Sequence, residues 1–191
     1  MRSVLAQALL LTMSAALLGQ DSNKELFQQY AEKFGPPGPE HKFLEPLAGT
    51  WHAACKFWMD PSQSPQMSEG TLVRTSVLDG RFIQEEFAGK LLDKPYNGKG
   101  TIGYDRAKRK FVTTWIDSMS TALHLSYGSY DESTKTWTFK AEEDCPITGK
   151  RVKTRDTLRV VSADEQQLEM FRQMGDDKEM RMMEINLTRK K

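Results

Sequence analysis

The sequence lacks the patterns that usually indicate an enzyme or a metal protein. Its 191 residues include only two cysteines and three histidines. They form none of the His-x-His, His-Glu-x-x-His or Cys-x-x-Cys spacings that are typical of zinc ligands. No nucleophile-elbow sequence surrounds a serine. We therefore expect no metal site and no resident cofactor, and we predict a non-catalytic protein.

The chain also lacks an excess of charge of one sign. Lys and Arg together number 27 and Asp and Glu together 26, and the two signs are interspersed along the sequence. A protein that binds nucleic acid usually presents a basic face or stripe. The charge pattern therefore predicts no nucleic-acid partner.

Long apolar stretches are absent except at the start, where Arg2 precedes the nearly uncharged residues 4–18. This stretch is shorter than the roughly 20 residues that span a bilayer, and a positive start with a short apolar run is typical of a secretory signal. We predict a signal peptide over 1–19, export to the periplasm or the extracellular space, and no membrane span after its removal. The alternative is an uncleaved membrane anchor.

A helix and a linker are expected next, over residues 20–40. Apolar residues recur at intervals of three and four between 21 and 34, which predicts a short helix, and the Gly- and Pro-rich residues 35–39 end it. One functional alternative is that this helix binds another exported protein.

Turn signals divide residues 41–191 into short strands. Residues 104–111 and 130–137 each contain a Tyr-Asp pair followed by a second aromatic residue at one common spacing. The Asp carboxylate can accept a backbone N–H about two residues later, which predicts a tight turn between strands. Asp79-Gly80 accepts the positive φ angles of a type I′ hairpin.

These signals predict an all-β domain over residues 41–191. Because every connection is short, successive strands should be neighbours, and closing the sheet removes its exposed edges. We predict a closed antiparallel up-and-down barrel of about ten strands, with residues 94–100 as a loop over its mouth. The predicted strands are 50–58, 71–78, 81–89, 100–104, 110–116, 123–130, 136–143, 152–161, 167–174 and 179–189.

The inward faces of this barrel should be mixed in polarity. In the eighth strand, one face carries Val152, Thr154, Asp156, Leu158 and Val160. A barrel of about ten strands has more room than one of eight, which its own side chains just fill. We therefore predict a partly wet cavity that binds a small, partly apolar molecule.

Four residues are predicted to line that cavity: Arg81, Tyr104, Trp115 and His124. Arg81 could hold a ligand carboxylate with two parallel hydrogen bonds; alternatively it pairs with Glu85, on the same strand face. Trp115 precedes a polar segment in which Asp117 and Ser118 either contact a ligand or form a turn that ends the strand. The oligomeric state is not predicted.

Cys55 and Cys145 would meet an oxidising compartment after export, so they could form one disulfide. The alternative for Cys55 is a buried free thiol that packs as a small apolar side chain.

Two resemblances narrow the fold further. Gly49-Thr50-Trp51 in the first strand, with Arg189 near the end of the last, resembles the Gly-x-Trp motif and closing arginine of lipocalins and their calycin relatives. The resemblance implies a structural role for Trp51 and Arg189, with the guanidinium stacked on the indole. It also implies an alternative function, because some calycin-like barrels hold haem through one histidine; here His124 would be that ligand or a catalytic base.

Motifs in order along residues 41–190 are similar to those of an uncharacterised bacterial family, domain of unknown function 1579. This resemblance implies a fold and no established activity. The motifs are His41-Lys-x-Leu44, Leu47-Ala-Gly-Thr-Trp51, Leu78-Asp-Gly-Arg-Phe82, Gly100-x-x-Gly-Tyr-Asp105, Phe111-x-x-x-Trp-Ile-Asp-Ser-Met119, Thr148-Gly-Lys150 and Glu184-x-x-x-Thr-Arg189.

Overall fold

The structure, a computed structural model, describes residues 22–91, 93–145, 147–175 and 177–191. The predicted signal peptide lies outside these residues. The described residues divide into two compact units, one that ends at Pro37 and one that covers Gly38–Lys191. In the first unit a helix covers 22–34, and its last turn closes where the Gly35 amide donates to the Ala31 carbonyl at 2.9 Å. No described helix has the length and apolarity needed to span a membrane.

The second unit is a closed antiparallel barrel of ten strands, as predicted. Each strand pairs with the next along the chain, and β1 pairs with β10 to complete the ring. The elements are a 3-10 helix (Pro39–Leu47) followed by β1 (Gly49–Phe57), β2 (Gln66–Val77), β3 (Phe82–Leu91), β4 (Lys94–Asp105), β5 (Lys110–Asp117), β6 (His124–Asp131), β7 (Thr136–Asp144), β8 (Arg151–Val160), β9 (Glu165–Met174) and β10 (Met180–Arg189).

The predicted turn chemistry is confirmed at three hairpins. Asp105 Oδ1 accepts the Lys108 amide at 2.9 Å between β4 and β5, and Asp131 Oδ1 accepts the Ser133 amide at 2.9 Å between β6 and β7. Between β2 and β3, Asp79 has φ 56° and Gly80 has φ 82°, which are the signs that a type I′ turn requires. The sequence thus specified these hairpins locally.

The two ends of the barrel differ. At one end, here called the closed end, β2 turns into β3, β4 into β5, β6 into β7 and β8 into β9. Leu44 and Leu47 of the 3-10 helix pack here into a buried cluster with Ile83, Phe111 and Trp137. The helix therefore seals this end, and the opposite end is here called the open end.

The first and last strands meet through Trp51 and Arg189, which are paired in register. The guanidinium lies 4.1 Å from the centroid of the buried Trp51 ring. Its Nη1 donates to the Ala48 carbonyl at 2.9 Å and its Nε to the Ala163 carbonyl at 3.0 Å. Gly49 is required beside it, because a Cβ there would lie 2.2 Å from Nη1. Arg189 thus ties three chain segments together at the closed end.

One predicted loop is wrong. Residues 94–100 belong to β4, whose backbone pairs with β3 and with β5. The glycines that favoured a loop serve packing instead: a Cβ on Gly98 would lie 2.1 Å from Cζ2 of Trp115. A large side chain on the neighbouring strand therefore occupies the space that a residue larger than glycine would need.

We predict that Arg189→Met lowers the free energy of unfolding by about 2–3 kcal/mol, because it removes two hydrogen bonds from a charged donor and a cation–π contact. Urea denaturation measures the change. The matched control is Arg159→Met, since Arg159 is exposed and donates to Gln167; its cost should stay below about 1 kcal/mol. Equal losses in the two variants would contradict the role assigned to Arg189.

Candidate functional site

The inward side chains near the closed end are buried, whereas those toward the open end are buried in some positions, such as Val152, and partly exposed in others. Residues that face each other across paired strands share a face, so the register identifies the inward side chains. Near the closed end these are buried: Ile83, Ile102, Phe111, Trp137 and Leu158. In the open half many inward side chains stay partly exposed, among them Phe87, Trp115, Thr154, Asp156, Met170 and Met183.

The open half also contains a depression in the barrel wall. A depression of about 460 Å³ is lined by residues of β1, β2 and β3 and of the β3–β4 turn. Phe57, Ser68 and Leu91, three inward residues, contribute to it. This depression lies at the open end of β1, β2 and β3.

A buried polar layer connects β2, β3 and β9 to the 3-10 helix. Arg74 Nε donates to Glu85 Oε1 at 2.7 Å, and Arg74 Nη1 donates to the Gln166 side-chain oxygen. Gln166 Nε2 in turn donates to the Pro46 carbonyl of the 3-10 helix at 3.0 Å. All three side chains are buried. The predicted Arg81–Glu85 pair is thus replaced by Arg74–Glu85, because β2 places Arg74 directly opposite Glu85.

In the open half, a chain of hydrogen bonds links aromatic side chains of β5 and β4. Trp115 Nε1 donates to Tyr96 Oη at 3.1 Å, and Tyr96 Oη donates to Asp117 Oδ2 at 3.2 Å. Burial raises the pKa of Tyr96 to about 12, so the phenol keeps its proton. The indole is therefore held in one orientation against the interior.

Asp117 and Ser118 have structural partners. Asp117 Oδ1 accepts the Met119 amide at 2.8 Å, which is the turn geometry that the sequence left as one alternative. Ser118 Oγ accepts the Asn97 amide at 3.1 Å. Both residues thus help to shape the edge of the open end.

Asp156 and Arg172 face the interior of the open half from neighbouring strands. Thr154 lies opposite Arg172 and Asp156 opposite Met170, so the two groups are diagonal neighbours. Burial raises the pKa of Asp156 to about 7. Arg172 Nε is buried and has no hydrogen-bond partner among the described residues. Sequence reasoning missed both as site residues, although an Asp between Thr154 and Leu158 on an inward face was a usable signal.

The structure places the four predicted lining residues in two separate regions. Trp115 and His124 are register partners in the open half. Tyr104 packs near His41 and Phe111 at the closed end, with ring centroids 5.9 and 4.9 Å away. Trp115 pairs with Gly100, four residues before Tyr104, which separates the two aromatics by about 13 Å along the strand.

Arg81 also lies at the closed end, in the turn between β2 and β3. Its Nη1 donates to the Leu78 carbonyl at 2.9 Å and to Asp79 Oδ2 at 3.2 Å. Arg81 and Tyr104 are therefore at the opposite end of the barrel from Trp115 and His124.

His124 lies at the rim of the open end. Its Nδ1 is 3.7 Å from Glu143 Oε1, and both side chains are more than two-fifths exposed. Among the described residues, no group of three or more His, Cys, Asp or Glu side chains is arranged to hold a metal ion. The haem alternative at His124 stays a prediction.

The two cysteines are free thiols, and each is buried. Cys55 packs with Trp51 and Ala53, and burial raises its thiol pKa. For Cys145, hydrogen bonding to Thr148 lowers the pKa to about 7. The predicted disulfide does not form in this structure: three strands, β8 to β10, separate β1 from the β7 end where Cys145 lies.

Comparison with known proteins decides the family. The family described as "Protein of unknown function (DUF1579)" matches residues 36–189. The chain belongs to the DUF1579 family. That match confirms the resemblance drawn from the motifs, and it covers the whole barrel. No curated protein matches the chain.

Solved structures resemble this DUF1579 barrel at low identity. The crystal structure of Rv2717c from M. tuberculosis is 15% identical, with a TM-score of 0.61, and the alignment covers 82% of this chain and 100% of that one. The structure of EF1p2_mFAP2b bound to DFHBI is 12% identical, with a TM-score of 0.42 and coverage of 78% and 98%. The first likeness supports the barrel fold alone.

We predict that Glu85→Gln lowers the free energy of unfolding by about 3 kcal/mol, because it leaves the Arg74 charge buried without its anionic partner. The matched control is its neighbour Glu86, which faces outward and pairs with Lys99 in solvent. Glu86→Gln should cost less than about 1 kcal/mol. Chemical denaturation compares them, and a cost for Glu85→Gln as small as the control would contradict a buried ionic layer.

We predict a pH-dependent gain of stability in Asp156→Asn. The folded pKa of about 7 lies above the usual value of about 3.9, so folding favours the protonated acid. The contribution of the protonated Asp156 to the free energy of unfolding is complete below about pH 4. It is lost as the pH rises through 7, by up to about 1.4 kcal/mol per pH unit. Asn cannot ionise and avoids the loss.

Melting temperatures at pH 4.5 and pH 8 test this expectation. Asp156→Asn should melt at least about 4 °C above the unmodified protein at pH 8 and close to it at pH 4.5. His41, whose pKa burial lowers, acts with the opposite sign in both proteins, so it cancels from the comparison. The exposed Glu165→Gln is the control, and an equal pH effect there would contradict the raised pKa of Asp156.

Proposed function

We propose that this DUF1579 protein is an exported barrel that binds a small, partly apolar molecule in its open half. The observation that carries the proposal is the difference between the two halves: apolar side chains fill the closed half, whereas many inward side chains of the open half remain partly accessible. Binding sites for small molecules combine apolar surface with a few placed polar groups. The open half offers both kinds of surface.

The apolar contacts come from aromatic and sulfur-containing side chains. Phe87 and Trp115 face the interior from β3 and β5, and Met170 and Met183 face it from β9 and β10. Methionine is flexible and polarisable, so it adapts to ligands of different shape. The Trp115 indole, held by Tyr96, supplies one rigid wall.

Export is supported by the sequence alone. The positive residue Arg2 and the apolar residues 4–18 have the order and length of a secretory signal. The proposal places the mature barrel in the periplasm or outside the cell, where it would take up a ligand from solution.

The test of binding uses the apolar dye Nile red and two tryptophan substitutions. Ala141→Trp adds an indole on the inward face of β7, and Ala88→Trp adds one on the exposed outer face of β3. We expect saturable binding with one dye per chain, weakened at least about tenfold by Ala141→Trp and less than twofold by Ala88→Trp. Fluorescence titration gives the dissociation constants.

Two outcomes would overturn the proposal. If the dye does not bind saturably, the open half is not a binding cavity for apolar molecules. If Ala88→Trp weakens binding as much as Ala141→Trp, the dye sits on the outer surface. Unchanged melting temperatures establish that both variants keep the barrel.

A further inference from the structure

Two polar side chains, Arg172 and Asp156, face the interior of the open half. The Arg172 Nε atom is buried without an acceptor among the described residues. Asp156 lies diagonally across from it, and burial disfavours its charged form. Diagonal neighbours on paired strands have Cβ atoms about 7–8 Å apart. One small group placed between them could contact both side chains.

This situation differs from that of other arginines in the barrel. Arg74 pairs with Glu85 inside, and Arg155 pairs with Glu179 on the outer face. A buried donor left unsatisfied costs roughly 1–3 kcal/mol. The inward position of Arg172, without an acceptor from the protein, therefore points to an acceptor supplied by a ligand.

We propose that Arg172 and Asp156 hold the carboxylate of a monocarboxylic acid whose apolar part lies in the open half of the barrel. This inference rests on the proposed function and names the chemical class of its ligand. The positively charged Arg172 guanidinium donates a charge-assisted hydrogen bond to the ligand carboxylate. The protonated Asp156 carboxyl donates a second hydrogen bond.

Charge balance favours a singly charged head group. One Arg172 cation neutralises one carboxylate, provided that Asp156 is protonated. A phosphate dianion would leave a net negative charge in a poorly solvated site, and a cationic head would face Arg172 directly. The apolar remainder of the acid would contact Met170, Met183 and Ile185, which share the inward face of β9 and β10.

Binding should strengthen at lower pH through Asp156. Phe139 of β7 and Met170 of β9 lie opposite it, and the charged group that acts on it is the Arg155 guanidinium, which lowers its pKa against the larger effect of burial. On β7 the nearest inward acid is Glu143, at the rim beside His124, and just beyond β7 the Cys145 thiol, on which the Arg172 charge acts, has a pKa of about 7. Arg155, next in sequence, projects outward to Glu179. We therefore expect a ligand carboxylate to bind the form of the site in which Asp156 is protonated.

The experiment compares two probes of equal chain length, sodium decanoate and 1-decanol, as competitors of bound Nile red. Arg172→Met should weaken decanoate binding at least about tenfold and change decanol binding less than twofold, since a charge-assisted hydrogen bond is lost. Arg159→Met, on the outer face of β8, is the matched control and should change neither probe. Arg172→Gln is the second variant if Arg172→Met does not fold.

A pH series adds an independent readout. Decanoate stays ionised between pH 6 and pH 8. As the pH rises over this range, its affinity for the unmodified protein should fall up to about tenfold, whereas its affinity for Asp156→Asn should change less than twofold. Decanol should show no pH effect in either protein.

The outcomes separate this inference from the proposed function. Suppose that decanol displaces the dye but Arg172→Met weakens the binding of both probes equally, or of neither. The proposed carboxylate site is then wrong, whereas the proposed binding cavity is still supported. A pH effect that persists in Asp156→Asn would remove Asp156 from the site. If Nile red itself does not bind inside the barrel, the proposed function fails and this inference falls with it.

Discussion

The barrel depends on the pairing of its first and last strands. Seven residue pairs, from Trp51 with Arg189 to Phe57 with Met183, join β1 to β10, and the Lys190 amide donates to the Thr50 carbonyl at 2.8 Å beyond the last pair. Without this seam both strands would expose unpaired backbone groups, as sheet edges do. The stacked Trp51 and Arg189 hold the seam at the closed end, where the 3-10 helix also packs.

Closure divides the interior into regions with different roles. The closed half holds the aromatic and aliphatic cluster that stabilises the fold, and the Arg74–Glu85–Gln166 layer connects three strands to the 3-10 helix. The open half holds fewer buried side chains and more polar ones. Buried donors without a hydrogen-bond partner among the described residues occur in both halves, Trp137 Nε1 in the closed half and Arg172 Nε in the open half.

Local sequence signals predicted the strand order well and the contents of the interior less well. Tyr104-Asp105 and Tyr130-Asp131 marked hairpins correctly, since a carboxylate needs only its own neighbouring amides to form the turn. Gly98 and Gly100 contributed to the wrong prediction of a loop within β4. Glycine occurs at these positions because the Trp115 indole of the neighbouring strand fills the space beside them. Arg81 was favoured as an interior group, yet β2 supplies Arg74 as the partner of Glu85 through cross-strand register.

The sequence by itself determined the turns, the alternation of faces and hence a closed meander of ten strands, because these follow from interactions between residues close in the chain. It also carried enough ordered motifs to indicate the DUF1579 family. Only the tertiary structure decided which inward groups meet, that Tyr104 and Trp115 lie in different halves, and that Asp156 and Arg172 share the accessible one. Those facts depend on strand register and on which end the 3-10 helix seals, and both are set by contacts between residues far apart in sequence.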